Sequence, residues 1–146
     1  MILKIFRSVW FLSAVLVLTV LLYVYASLPQ SVVIQQDGVK QVMLSRDAFF
    51  YVALGFITLI NSMVYLIKKV FLRQEAFRTW FHGLIIAMNG FFMVCLFLIN
   101  SFNSGENFDF SRVGFVVYAS IGLILTWALA WPAYLLLRRP AIKSVV

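Results

Sequence analysis

Few side chains in this sequence could take part in chemistry, and they are widely spaced. His82 is the only histidine and Cys95 the only cysteine, and no Asp or Glu lies within the long apolar runs. A metal site or a proton relay needs several ligands or acids close together, and haem needs axial ligands that are scarce here. We therefore interpret His82 as an interfacial residue beside Arg78 and Trp80. The sequence predicts no catalytic, cofactor or metal site, and a non-enzymatic protein.

Two asparagines inside the apolar runs, Asn61 and Asn89, are the best candidates for a polar contact between helices. Counted from Lys68 and from Trp80, they lie about 10 Å and about 13 Å from the same end of their helices. Polar groups within lipid need hydrogen-bond partners. We expect the two side-chain amides to meet, as a packing contact in the first place and as part of a substrate site in the alternative.

The composition indicates that these residues lie in a membrane. Of 146 residues, 64% are hydrophobic and 12% charged, whereas an average soluble domain is about 25% charged. Apolar runs predict transmembrane helices at about 9–26, 48–67, 80–100 and 113–137, and the polar stretch 101–112 predicts a loop. The expected fold class is an all-α membrane protein, with a single four-helix transmembrane domain over residues 1–146.

Local signals mark the ends of several runs. Leu28-Pro29 ends the first helix, because proline lacks an amide hydrogen and restricts the residue before it. Ser45 is expected to cap the second helix and Thr79 the third. The first run also fits a secretory signal peptide, with Val24-Tyr25-Ala26 before a cleavage site. Its length favours a retained helix.

The basic residues collect at one set of helix ends. With four crossings, nine Lys and Arg fall on one side and three on the other. The positive-inside rule places the richer side, and both termini with it, in the cytoplasm. The net charge of +7 is thus explained by topology, and no nucleic-acid partner is expected. Membrane lipids are the expected partners, and five residues are candidates for contacts with anionic headgroups: Lys68, Lys69, Arg73, Arg138 and Arg139.

The loop between the first two helices is predicted to form a β-hairpin. Two β-prone runs flank Asp37-Gly38, which is a strong signal for a tight two-residue turn. A two-stranded hairpin is marginally stable alone, so it needs lipid, the other loop or a partner to pack on. We predict that this first extracytoplasmic loop binds a partner through Val33, Ile34, Asp37, Gly38 and Val42.

The same loop carries a resemblance to a known family over about residues 20–62. The residues that carry the resemblance are Leu28-Pro29, the glycine of Asp37-Gly38, Ser45-Arg46 and Phe49-Phe50. With them, this part of the chain resembles the small membrane domain of unknown function found in Sdp-type bacterial toxin-immunity proteins. That family usually has a histidine–aromatic pair before the glycine and a tryptophan after it, where this chain has Gln35-Gln36 and Met43. The resemblance implies a bacterial inner-membrane protein without enzymatic activity, acting in immunity or signalling.

Three functions remain open at this level. The first is an accessory or assembly subunit of a larger membrane complex, which binds other membrane subunits. The second is a stand-alone immunity or signalling protein of the Sdp type. The third is an oligomeric small transporter or channel, although spans without charged residues offer no evident ion path.

Overall fold

The fold consists of four long helices and one two-stranded hairpin. The computed structural model describes the backbone of residues 1–37, 40–105 and 110–138, and the side chains of residues 1–34, 41–105 and 114–137. Within these ranges the elements are α1 (Ile2–Ser27), β1 (Ser31–Asp37), β2 (Lys40–Ser45), α2 (Arg46–Val70), α3 (Glu75–Asn103) and α4 (Phe110–Arg138). Each helix contains a segment long and apolar enough to cross a bilayer. The predicted set of four such helices with an antiparallel hairpin is confirmed.

All four helices are longer than the apolar runs that predicted them. They contain 26, 25, 29 and 29 residues, or about 38 to 44 Å at 1.5 Å per residue, against a hydrocarbon core of about 30 Å. The added turns carry polar and charged residues. Helical hydrogen bonds continue there because backbone groups need partners whatever the side chain.

Two predicted helix boundaries are confirmed. The backbone amide of Ala48 donates to Ser45 Oγ at 3.3 Å, so Ser45 caps α2. Leu28 is extended (φ −73°, ψ 144°) and ends α1 just before Pro29.

Two other boundaries were predicted wrongly. α3 begins at Glu75 rather than near Thr79, whose hydroxyl donates to the Glu75 carbonyl oxygen at 2.9 Å from inside the helix. The loop predicted over 101–112 is shorter, because α3 continues to Asn103 and α4 begins at Phe110. Both errors come from treating polar residues as the end of a helix.

The helices alternate in direction. α1 and α3 run the same way, since Ser13 bonds Asn89 and Ser27 bonds Asn100, while α2 and α4 run the opposite way. The starts of α1 and α3 and the ends of α2 and α4 thus lie together. We call this the basic end, after Lys68 and Lys69 in the last turn of α2; the opposite end, where β1 and β2 lie, is the hairpin end.

α1 and α3 form the centre of the bundle, with α2 packed on both and α4 packed mainly on α3. The rings of Phe6 on α1 and Trp127 on α4 also stack, with their centroids 6.2 Å apart. Buried residues recur along α1 at spacings of seven, four and three residues, as in helices that pack at small crossing angles. They are Trp10, Val17, Leu21 and Val24, and buried Leu28 follows directly after the helix. In contrast, no residue of the membrane-length segment Gly114–Leu137 of α4 is buried.

Candidate functional site

The amides of Asn61 and Asn89 meet in the middle of the bundle, between its two apolar core clusters. Asn61 Nδ2 donates to Asn89 Oδ1 at 2.8 Å, and Asn89 Nδ2 donates back to Asn61 Oδ1 at 3.0 Å. The structure thus brings together the two residues that the sequence singled out, across α2 and α3. Asn89 is fully buried, with 0% of its surface exposed.

α1 completes this polar network. Trp10 Nε1 donates to Asn61 Oδ1 at 2.9 Å, and Asn89 Nδ2 donates to Ser13 Oγ at 3.0 Å. The second hydrogen of Asn61 Nδ2 goes to the Ile57 carbonyl oxygen. Both hydrogens of each amide are therefore used within the protein. A network satisfied in this way specifies how three helices pack, and it leaves no donor directed at a substrate.

His82 lies beside this network and is buried, with 4% of its surface exposed. Its Nδ1 lies 2.6 Å from the carbonyl oxygen of Arg78, so Nδ1 carries a hydrogen, because a carbonyl oxygen only accepts. Its ring meets the ring of Trp10 edge to face at 5.7 Å. The expected neighbour Arg78 is found, and the contact with Trp10 is new. Among the described residues, no three His, Cys, Asp or Glu side chains are grouped to hold a metal ion.

The side chain of Asn103 hydrogen-bonds the hairpin to α3. Its Oδ1 accepts from the Val33 backbone amide at 2.8 Å, and its Nδ2 donates to the Val33 carbonyl oxygen at 3.1 Å. A carboxamide that bonds both groups of one residue takes the place of a neighbouring β-strand. This contact covers the outer edge of β1 near the irregularity between Val33 and Gln35 in the pairing of β1 with β2.

The hairpin also packs on the ends of the helices through an apolar side chain. The Val32 side chain is fully buried, with 0% exposed, in the same apolar cluster as Leu28 and Phe49. The Arg46 amide donates to the Gln30 carbonyl oxygen at 2.9 Å, so the pairing continues into the start of α2. The support that an isolated hairpin lacks is therefore supplied by this chain's own helices.

The predicted partner-binding residues lie on this supported hairpin. Ile34 and Val42 are exposed (44% and 56%), as is Met43 (56%), whereas Val33 is half-buried. Asp37 pairs with Lys40 through the backbone. The Asp37 side chain and the whole of Gly38, including the predicted tight turn, lie outside the described residues.

The predicted lipid-contacting residues gather at the basic end. Lys68 and Lys69 are exposed in the last turn of α2, and Arg73 is exposed in the turn that follows. The backbone of Arg138 ends α4 at the same end, while its side chain and Arg139 lie outside the described residues.

The main attachment of α4 was not predicted. Trp80 Nε1 donates to the Trp127 carbonyl oxygen at 2.7 Å, and Trp127 Nε1 donates to the Trp80 carbonyl oxygen at 2.9 Å. The Trp127 ring lies directly against Gly83, so that a Cβ atom added to Gly83 would come within 2.4 Å of a Trp127 ring carbon. The small-residue spacing of Gly83 and Ala87 was the only sequence signal of this close approach.

Comparison with known proteins adds no relative: no family model, no curated protein and no solved structure matches this chain.

Proposed function

We propose that this chain is a non-enzymatic integral membrane protein of a bacterial inner membrane, and that it serves as an accessory or assembly subunit of a larger membrane complex. Both ends of the chain are cytoplasmic in this proposal, and the hairpin faces the opposite side. The orientation rests on the nine-to-three distribution of basic residues.

The observation that carries the proposal is the way in which the hairpin is held. Asn103 and buried Val32 keep it in one orientation on the helix ends, so it is presented as a preordered surface. Its exposed apolar residues Ile34, Val42 and Met43 suit burial by a partner. Within the described part of the chain no further strand pairs with β2, so its outer edge can accept a partner's strand. A preordered surface loses less conformational entropy on binding than a flexible loop does.

The interior of the bundle supports a role outside catalysis. The amides of Asn61 and Asn89 bond each other, Trp10, Ser13 and a backbone carbonyl, which is the arrangement of a packing contact. An active site instead directs donors and acceptors at a space where a substrate fits.

Native electrophoresis after mild detergent extraction tests this proposal. Wild-type protein is expected to comigrate with an assembly much larger than itself, and a variant with Val42→Lys and Met43→Lys is expected to dissociate from it. Gln41→Lys is the control for added positive charge, since it places one lysine at an exposed position of the same strand without removing an apolar side chain, and it should leave the assembly intact. Migration of the wild type as a free monomer or dimer would contradict the subunit role.

A second candidate is a stand-alone immunity protein of the Sdp type. Two of the residues behind that resemblance, Arg46 and Phe50, contact the same aromatic ring at the hairpin end: Arg46 lies 4.9 Å from the centre of the Tyr25 ring, and the Phe50 ring lies 4.8 Å from the Tyr25 ring. Deletion of the gene should then remove resistance to a toxin without altering any membrane complex. Unchanged resistance together with a disturbed complex would favour the subunit function.

A further inference from the structure

An apolar groove runs between α1, α3 and α4 in the half of the bundle nearer the basic end. Its volume is about 320 Å³, and its walls include Ile5 and Val9 of α1, Ile86 and Ala87 of α3, and Leu123 and Trp127 of α4. It exists because the backbone of α4 lies close to α3 but not to α1, which α4 meets through the stacked rings of Phe6 and Trp127. The groove is therefore open sideways, in the direction that a bilayer would occupy.

The groove continues into a wider opening at the basic end. This mouth, of about 790 Å³, shares Phe6 and Trp127 with the groove, and Glu75 and Thr79 lie at its rim. Among the described side chains that line the mouth, Glu75 is the only charged one. Met1, whose amino group is cationic, lines the same mouth, so the groove and its mouth fit an amphipathic zwitterion whose cationic group pairs with the carboxylate.

The size of the groove decides between a lipid chain and a protein helix. A helix with its side chains is about 10–12 Å wide and rises about 5.4 Å per turn. A volume of about 320 Å³ is smaller than one turn of such a cylinder, so a helix could only lie across the groove, whereas a flexible hydrocarbon chain can enter it. If the groove stayed empty, the side chains of its walls would have no atoms to contact on that side and would lose the dispersion energy of those contacts.

The spacing of the two regions matches a phospholipid. Eight residues separate Glu75 from Gly83 on α3, which is about 12 Å along the helix axis. The interfacial layer of one leaflet is about 5–8 Å thick, so with Glu75 at the level of the headgroups the groove lies within the hydrocarbon. We propose that this groove binds one acyl chain of a phosphatidylethanolamine-type lipid, whose ammonium group pairs with the Glu75 carboxylate.

Native mass spectrometry of the full chain tests this site, with lipid vesicles of phosphatidylethanolamine, phosphatidylcholine or phosphatidylglycerol that carry the same acyl chains. The wild type is expected to retain phosphatidylethanolamine at least about tenfold better than the other two, a difference of about 1.4 kcal/mol. Ala87→Phe fills the groove and should remove the retained lipid. Ala14→Phe is the matched control, because Ala14 lines a different groove, between α1 and α2, and it should retain lipid as the wild type does.

Two further variants keep the test decisive. Leu123→Trp fills the groove from α4, where Leu123 is 59% exposed, and it replaces Ala87→Phe if that variant fails to fold. Glu75→Gln should keep the chain bound but lose the preference for ethanolamine. Equal retention by a folded groove-filled variant and the control, or an unchanged preference in Glu75→Gln, would overturn the proposal, as would photocrosslinking from position 123 to a protein rather than to a lipid.

The lipid site rests on the proposed bilayer position of the helices but not on any protein partner. Binding is measured on the isolated chain, so loss of the larger assembly in native electrophoresis leaves this result unaffected, and the two proposals can fail separately.

Discussion

Trp80 and Trp127 exchange hydrogen bonds: each indole nitrogen donates to the backbone carbonyl oxygen of the other residue, at 2.7 and 2.9 Å. The pair joins α3 to α4, a helix without a buried residue in its membrane-length segment. Because the Trp127 ring lies directly over Gly83, this attachment depends on the absence of a side chain at that position.

Gly83→Ala should therefore weaken the docking of α4. The new Cβ atom would lie 2.4 Å from a Trp127 ring carbon, and overpacking of this kind costs about 1–3 kcal/mol. The expected results are a lower unfolding midpoint in detergent and a changed Trp fluorescence spectrum. Gly90→Ala, on the same helix with nothing within 4 Å of its Cβ position, should be neutral or slightly stabilising. Equal effects of the two changes would contradict the proposed packing.

Asn89→Leu should destabilise the bundle by about 1–3 kcal/mol, because it leaves buried partners of Asn89 without a hydrogen bond. The double change with Asn61→Leu should cost less than the sum of the single changes, by about 1 kcal/mol. The measurement is a double-mutant cycle of unfolding free energies in mixed micelles. Pairing Asn61→Leu with Ser120→Ala on α4 gives the additive control, since Ser120 bonds the Val117 carbonyl oxygen of its own helix. Strict additivity for Asn61 and Asn89 would refute the packing role, as would a fully stable Asn89→Leu protein that no longer comigrates with the larger assembly.

Asn103→Asp should loosen the hairpin. A carboxylate still accepts from the Val33 amide but cannot donate to the Val33 carbonyl oxygen, so a bond observed at 3.1 Å becomes a repulsion. We expect the rate of amide hydrogen exchange over residues 31–45 to increase about tenfold, because a loss of about 1.4 kcal/mol in the local free energy of unfolding corresponds to that factor. Asn100→Asp is the control, because Asn100 only accepts from Ser27 Oγ, which aspartate also does. Unchanged exchange in Asn103→Asp would show that buried Val32 holds the hairpin alone.

The orientation of the chain can be measured by cysteine labelling in a Cys95→Ser background. Exposed Gln74, in the turn between α2 and α3, and exposed Ser31, at the start of β1, lie at opposite ends of the bundle. If the positive-inside rule applies, a membrane-impermeant maleimide should label Ser31→Cys in intact cells and Gln74→Cys only after the membrane is opened. The reverse pattern would invert the proposed topology.

Local sequence determined much of the architecture. The apolar runs predicted four membrane-length helices, the residues around Asp37-Gly38 predicted an antiparallel hairpin, and Ser45 and Leu28 marked helix ends correctly. Each of these features depends on hydrophobicity or backbone preference within a short stretch of chain. Thr79 misled for the same reason, because a residue that favours caps is also tolerated inside a helix when its hydroxyl bonds a carbonyl one turn back.

The tertiary structure decided which helices touch, and through which atoms. The depth of Asn61 and Asn89 indicated that they could meet, but the parts played by Trp10 and Ser13 of α1 emerged only from the packed bundle. Asn103 was assigned to a loop, yet it holds β1 from 70 positions away in the chain. Such contacts depend on helix rotation and on the gaps between side chains, which a hydropathy pattern leaves free. The sequence therefore determined which segments form helices and strands, because that depends on local hydrophobicity and backbone preference. The positions of the hairpin, the amide network and α4 relative to the other helices were decided only by packing in three dimensions.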